Sequence, residues 1–216
     1  MGLSFLEKLC HQGFSLGFFE TKKISEIEPN CNQSLEVIDF DLTKAKVCSH
    51  CRLVSLKSCD ALKVIKKENR LDFIELKKFE KLLSYIKSLE DCEKSVRDFE
   101  IPIKVKDSIV ILRNLTQIQG FNLTKAERQE YFSLPINFIL AVDLDFNNDP
   151  LNSFAVSLKA LSIFPNSGSV SLIESLTNII KEELEKQLAE IRNINNIHHV
   201  ELIKFNQIDI HYGLAL

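Results

Sequence analysis

The sequence predicts an α/β or α+β fold, with a single mixed β-sheet of five or more strands and helices on both of its sides. Apolar runs of strand length alternate with segments of helical periodicity. A hydrophobic fraction of 45% and a charged fraction of 26% are typical of soluble globular proteins. We therefore expect one domain over residues 1–216, with a core at about 35–145 and a C-terminal helix and strand added to it.

The first half of the chain contains the clearest strand signals. Residues 3–10 suggest a short helix, and residues 35–42 (LEVIDFDL) alternate as a strand does. An apolar run at 53–56 leads towards two further runs, at 62–65 and 71–76. The charged stretch between those two runs, KKENR, predicts that they form a β-hairpin.

The middle of the chain mixes helix and strand signals. Apolar residues spaced mostly three and four apart from Phe79 to Leu89 predict an amphipathic helix that continues to about residue 97. We expect Pro102 to end the helical region and residues 103–112 (IKVKDSIVIL) to form one or two strands. Thr124 and Glu127 match a capping box at the start of a short helix. The following apolar run predicts a central strand, covered on both faces, at 136–142.

The last third of the chain predicts one long helix between two extended segments. Residues 153–164 suggest a strand or a short helix. Ser171 and Glu174 are expected to cap the longest helix, whose apolar stripe continues to Ile191. Residues 200–211 are predicted to form a strand that joins the sheet.

The hairpin carries the residues with the clearest chemical meaning. Asp60 opens its first strand, and Glu75 and Lys77 lie near the end of the second, on the same face as Phe73. Two carboxylates can hold a hard divalent cation, and a lysine can orient or help to deprotonate a water beside it. This combination is suited to the hydrolysis of a phosphodiester.

Asp60, followed after fourteen residues by Glu75-Leu76-Lys77 at the end of an apolar strand, resembles the PD-(D/E)xK nuclease superfamily over roughly residues 35–95. The chain departs from that pattern, because Cys59 rather than proline precedes Asp60 and the following helix has no clear Gln or Tyr motif. The resemblance implies a restriction-endonuclease-like core. It also implies that Asp60, Glu75 and the Leu76 carbonyl bind Mg²⁺ (or Mn²⁺), and that Lys77 positions the attacking water and stabilises the transition state. An upstream acid often completes such a site, and Glu36 and Glu20 are both open as candidates.

The charge distribution is compatible with a nucleic-acid partner, and we expect DNA rather than RNA as that partner. The net charge is −3, but residues 44–87 carry +7 and the remainder −10. The equally weighted alternative is that these cations belong to the solvated faces of a hairpin and a helix. Oligomeric state stays open, with a homodimer allowed. The predicted nucleic-acid-binding residues are Lys57, Lys63, Lys66, Lys67, Arg70, Lys78 and Lys81.

Other candidate sites rank lower. The pairs Asp143/Asp145 and Asp39/Asp41 share strand faces, but solvation is the default explanation, and the first pair has no lysine nearby in sequence. Cys48 and Cys51 form half of a zinc site, and the other half is missing. Reduced cysteines in or near the core are therefore the favoured interpretation, as expected in a cytoplasmic protein.

No stretch approaches the roughly 20 apolar residues of a membrane span, and the apolar N-terminus is interrupted by charges, so we expect neither a membrane partner nor a signal peptide.

Two function classes remain open. The first class is a metal-dependent nuclease. The second is a catalytically inactive nuclease-like fold that binds protein or nucleic acid. Carboxylates within reach of one ion, in a cleft bordered by Lys57, Lys63 and Lys77, would favour the enzyme.

Overall fold

The computed structural model describes residues 4–79, 82, 85–144 and 169–214. In these residues one mixed sheet has six strands in the order β1-β2-β3-β4-β5-β6. The first four form an antiparallel meander, and β4, β5 and β6 are parallel. The predicted mixed sheet is confirmed. Its strands are β1 (Thr21–Lys23), β2 (Glu36–Asp39), β3 (Ala61–Ile65), β4 (Arg70–Lys77), β5 (Ile136–Val142) and β6 (Ile197–Lys204).

Helices cover both faces of the sheet, as predicted. A large apolar cluster on one face includes buried residues of α1, α3, α4, α5 and α7. A smaller cluster on the other face includes residues of α2 and α8. None of the described helices is long and apolar enough to cross a membrane. The helices are α1 (Phe5–Ser15), α2 (Ile24–Ile27), α3 (Phe40–Cys51), α4 (Leu89–Arg97), α5 (Ile101–Leu115), α6 (Lys125–Glu130), α7 (Ser169–Arg192) and α8 (Ile208–His211).

The predicted hairpin and the predicted central strand are both confirmed. A 3₁₀ turn at Lys66–Glu68 joins β3 to β4. Ala61 pairs with Ile74, and this register brings Asp60 to the level of Glu75. Strand β5 lies between two parallel neighbours and is almost entirely buried, which explains its continuous apolar sequence.

The prediction of strands at 103–112 is wrong, because these residues belong to α5. Pro102 does not end a helix but lies in the first turn of one, where its missing N–H costs nothing. Residues at helical spacing, among them Ile101, Val105 and Leu112, are buried in the larger cluster. This packing outweighs the β-propensity of the Ile- and Val-rich sequence.

Other boundaries also differ from the predictions. Strand β2 ends at Asp39, whose side chain accepts from the Leu42 N–H (3.0 Å) and caps α3. Residues 53–56 form neither strand nor helix. The helix expected from residue 79 to about 97 is interrupted at 85–88, where Ser88 caps α4.

The C-terminal predictions are confirmed in part. The helix α7 begins at Ser169, so Ser171 lies inside it and is not its cap. Its apolar stripe is buried as predicted, from Leu176 to Ile191. Strand β6 joins the sheet but ends at Lys204, after which the chain turns into α8. The short helix after Thr124 is confirmed with its capping box, whereas the element predicted at 153–164 lies outside the described residues.

The end of α3 contains a removable backbone strain. Arg52 is exposed and follows the helix in the left-handed conformation, with φ 55° and ψ 38°. Because glycine adopts this conformation without a Cβ clash, we expect Arg52→Gly to raise the free energy of unfolding by about 0.5–1 kcal/mol. Urea denaturation would measure the gain. Arg52→Ala removes the same guanidinium without relieving the backbone, and an equal gain there would contradict the explanation.

Candidate functional site

The structure brings the three predicted residues Asp60, Glu75 and Lys77 together at one end of the hairpin. Asp60 Oδ2 accepts a hydrogen bond from the Leu76 N–H (2.7 Å), which ties the end of β3 to β4. Glu75 and Lys77 are two residues apart on β4, and their side chains form an ion pair. The predicted face is also correct, because Phe73 belongs to the apolar cluster beneath them.

Lys104, in the first half of α5, is a fourth member that the sequence analysis missed. Its Nζ lies 2.6 Å from Glu75 Oε1 and 3.9 Å from Asp60 Oδ1, so both carboxylates lie within reach of one ammonium group. Because residues 103–112 were predicted to form strands, Lys104 was not expected to lie on a helix beside the hairpin. The available signal was the helical spacing of Ile101, Val105 and Leu112, which places the intervening Lys104 near the edge of the buried stripe.

Two hydrogen bonds fix α5 beside the hairpin. The Cys59 N–H donates to the buried Ser108 Oγ (2.9 Å), immediately before Asp60 in the chain. The Ile101 N–H donates to Gln187 Oε1 of α7 (2.9 Å) at the start of α5. These two hydrogen bonds lie before and after Lys104 along α5, and together they hold Lys104 in place beside the hairpin.

The electrostatics of the site are governed by burial. The side chain of Glu75 is fully buried. Its Oε1 contacts both lysines, whereas its Oε2 has no hydrogen-bond partner among the described residues. Burial, and after it the charge of Glu75, raise the pKa of Asp60 from 3.8 to about 7. Burial alone would lower the pKa of Lys104, but the charges of Glu75 and Asp60 outweigh it and raise that pKa above its ordinary value. The site therefore holds charged groups with little water to screen them.

Aromatic packing restrains Lys77. Its Nζ lies 5.0 Å from the centroid of the Phe99 ring, within the range of a cation–π contact. Phe99 in turn packs edge-on against Phe79, with 5.5 Å between the ring centroids. The Lys77 ammonium is thus positioned by a carboxylate and by an aromatic face.

The donor set fits a hard divalent cation of the Mg²⁺ type. The N–H and C=O of a strand residue point to the same side, so the Leu76 carbonyl points to the β3 side of β4, as its N–H does. The unpartnered Glu75 Oε2 is a further oxygen available to an ion. Among the described residues no three or more His, Cys, Asp or Glu side chains form a metal-holding group, Cys48 and Cys51 included. Two carboxylates and one carbonyl remain, which suits an ion that retains several waters.

The candidate upstream acids lie apart from this arrangement or have other partners. Glu36 is exposed on β2, and Glu20 Oε2 lies 3.8 Å from Lys46 Nζ, with which it forms an ion pair. Asp39 caps α3 and forms an ion pair with Lys22. Neither Glu36 nor Glu20 has a contact with Asp60 or Glu75 among the described interactions.

The rival aspartates have structural partners. Asp41 forms hydrogen bonds with Lys44 and Ser58. Asp143 accepts from the Phe79 N–H (2.8 Å), and so links the end of β5 to the chain that follows β4. Asp145 lies outside the described residues.

The predicted basic residues that the structure describes do not form one surface around the site. Lys57 pairs with Glu100 at the start of α5, and Lys78 pairs with Glu28 (2.5 Å). Lys63 lies on the sheet face opposite Asp60, where its Nζ donates to the Glu36 carbonyl (2.7 Å). The expected cleft bordered by Lys57, Lys63 and Lys77 is therefore not formed.

The remaining predicted basic residues lie at the far end of the hairpin or outside the described residues. Lys66 and Lys67 are exposed in its turn, and Arg70 pairs there with Glu68 and Asp72. With five residues in β3, the turn is on the order of 16 Å from the carboxylates. Lys81 lies outside the described residues.

No protein-family model, curated protein or solved structure matches this chain.

Proposed function

We propose that this protein is a metal-dependent nuclease of the PD-(D/E)xK type, acting at Asp60, Glu75 and Lys77. The observation that carries the proposal is the buried Glu75 Oε2, which has no hydrogen-bond partner in the part of the chain that the structure describes, although both lysines contact Oε1 of the same carboxylate. A buried carboxylate oxygen without a donor is costly unless a cation or water completes it. The adjacent Asp60 carboxylate and Leu76 carbonyl supply further oxygens.

Each residue has a distinct role in this proposal. Asp60, Glu75 and the Leu76 carbonyl would hold Mg²⁺ or Mn²⁺, which when bound would polarise a phosphate oxygen and lower the pKa of a bound water. Lys77, restrained by Glu75 and Phe99, would stabilise the negative charge that develops on the phosphate. Lys104 would then have to release Glu75 in part, because the cation and the ammonium compete for the same carboxylate.

A second function is favoured by Lys104 itself. With Lys77 and Lys104 charged and both acids ionised, the four groups already balance without a metal ion. Such an arrangement is also compatible with a nuclease-like fold that has no catalytic activity and binds protein or nucleic acid. Cleavage activity distinguishes the two functions.

The decisive variant is Lys77→Met, which keeps an unbranched side chain of similar length but removes the ammonium. We expect metal-dependent cleavage to fall by about 10²–10³-fold, the usual cost of losing one transition-state donor. The assay would follow single-stranded, duplex and branched DNA and RNA in Mg²⁺ or Mn²⁺, with EDTA as the blank. Lys106→Met, an exposed position on the same helix as Lys104, serves as the matched control.

Cleavage by Lys77→Met at the wild-type rate would exclude the proposed role of the ammonium. If the wild-type protein cleaves none of these substrates with either metal, the non-catalytic binding function is the one to retain.

A further inference from the structure

An open surface cavity of about 350 Å³ lies next to the proposed site, and Phe99 belongs to both. Its lining consists of Lys78, Leu82, Tyr85, Ser95, Asp98 and Phe99. Phe99 is the residue whose ring faces the Lys77 ammonium at 5.0 Å. An occupant of this cavity would therefore contact the same ring that positions Lys77.

The lining has the composition of a base-binding pocket. Tyr85 is 68% exposed, so its ring is available to a ligand, and Phe99 is half-buried beside it. Aromatic faces of this kind stack on nucleic-acid bases of any sequence. The exposed Asp98 can accept a hydrogen bond from an amino group of a base, and the Ser95 hydroxyl can donate or accept one.

We propose that this cavity binds one unstacked base of a single-stranded nucleic acid and so delivers the neighbouring phosphate to Asp60, Glu75 and Lys77. This inference rests on the proposed nuclease function for its position in the reaction, although base binding itself does not require catalysis. The volume lies at the low end of the range for small-molecule sites, which suits one base better than several.

Single strands follow as the substrate class from the shape of the site. A base inside a duplex is stacked and paired, and to enter a cavity it must first leave the helix, at a cost of a few kcal/mol. A single-stranded segment has no pairing to break.

Binding would be measured by fluorescence anisotropy in EDTA, which prevents metal-dependent cleavage. The probes are a fluorescein-labelled single-stranded DNA oligomer and the same strand annealed to its complement. We expect the single strand to bind at least tenfold more tightly, and Tyr85→Ala to weaken that binding by about 5- to 100-fold. Tyr85→Phe should retain the affinity, because stacking needs the ring and not the hydroxyl.

Phe14→Ala is the control, because Phe14 is an exposed aromatic residue on α1, outside this cavity. Equal affinity for both probes, or unchanged binding by Tyr85→Ala, would overturn the base pocket without affecting the test of Lys77. Base-dependent binding by a protein that cleaves nothing would support the pocket and reject the nuclease.

Discussion

Glu75→Gln is expected to lower the free energy of unfolding by about 3–5 kcal/mol, the typical cost of breaking a buried ion pair from one side. The substitution keeps the shape of the side chain but removes the only charge that contacts both Lys77 and Lys104 in the described structure. Two ammonium groups would then share a largely buried space with Asp60 alone. Urea denaturation would show a lower midpoint with an unchanged slope.

A matched exposed pair provides the control for this experiment. Glu93 and Arg97 form an ion pair on the surface of α4, and Glu93→Gln should change the stability by less than about 0.5 kcal/mol. Lys104→Met combined with Glu75→Gln should recover part of the loss, because it removes one of the unbalanced charges. A loss for Glu75→Gln as small as that for Glu93→Gln would mean that the lysines are solvated and that the four groups are not a buried unit.

The elements predicted well from sequence were those whose local pattern and tertiary environment agree. The hairpin has a charged turn between apolar runs, and β5 has the continuous apolar sequence of a strand buried on both faces. The helix α5 was mispredicted because its many Ile and Val residues favour a strand locally, while its burial follows the helical period. Here the tertiary packing decides the conformation, and a single sequence does not reveal it.

The candidate site was predictable where it lies within one hairpin. Asp60, Glu75 and Lys77 are brought together by a register that the turn sets, so alternation along the strands was sufficient. Lys104 lies 27 residues after Lys77, on a separate helix, and no local pattern links the two. The predicted basic residues in the described part of the chain do not form one surface, because several of them pair with acidic residues, as Lys78 does with Glu28.

Asp60→Asn is expected to stabilise the metal-free protein at pH 8 and to have little effect near pH 4. The pKa of Asp60 is raised from 3.8 to about 7 by burial and by the charge of Glu75. Between these two values the native protein keeps a proton that the unfolded chain has lost, so the stability falls as the pH rises through this range. At about 1.4 kcal/mol for each pH unit, the loss reaches up to about 4 kcal/mol above pH 7. Asparagine imitates the protonated acid at every pH and avoids that loss.

Thermal or urea denaturation in EDTA at pH 4.5, 6 and 8 would measure the difference between Asp60→Asn and the wild-type protein. Glu90→Gln, at an exposed position on α4, is the control for removing a carboxylate from the surface. A difference that does not grow with pH would contradict the raised pKa.

A divalent ion should act in the opposite direction, because it binds the ionised acid. We expect Mg²⁺ at pH 8 to stabilise the wild-type protein but not Asp60→Asn. In the metal-free protein the ionised Asp60 lowers the stability at neutral pH, and a bound cation would offset this loss. Such a response to the cation is expected if Asp60 binds a metal ion.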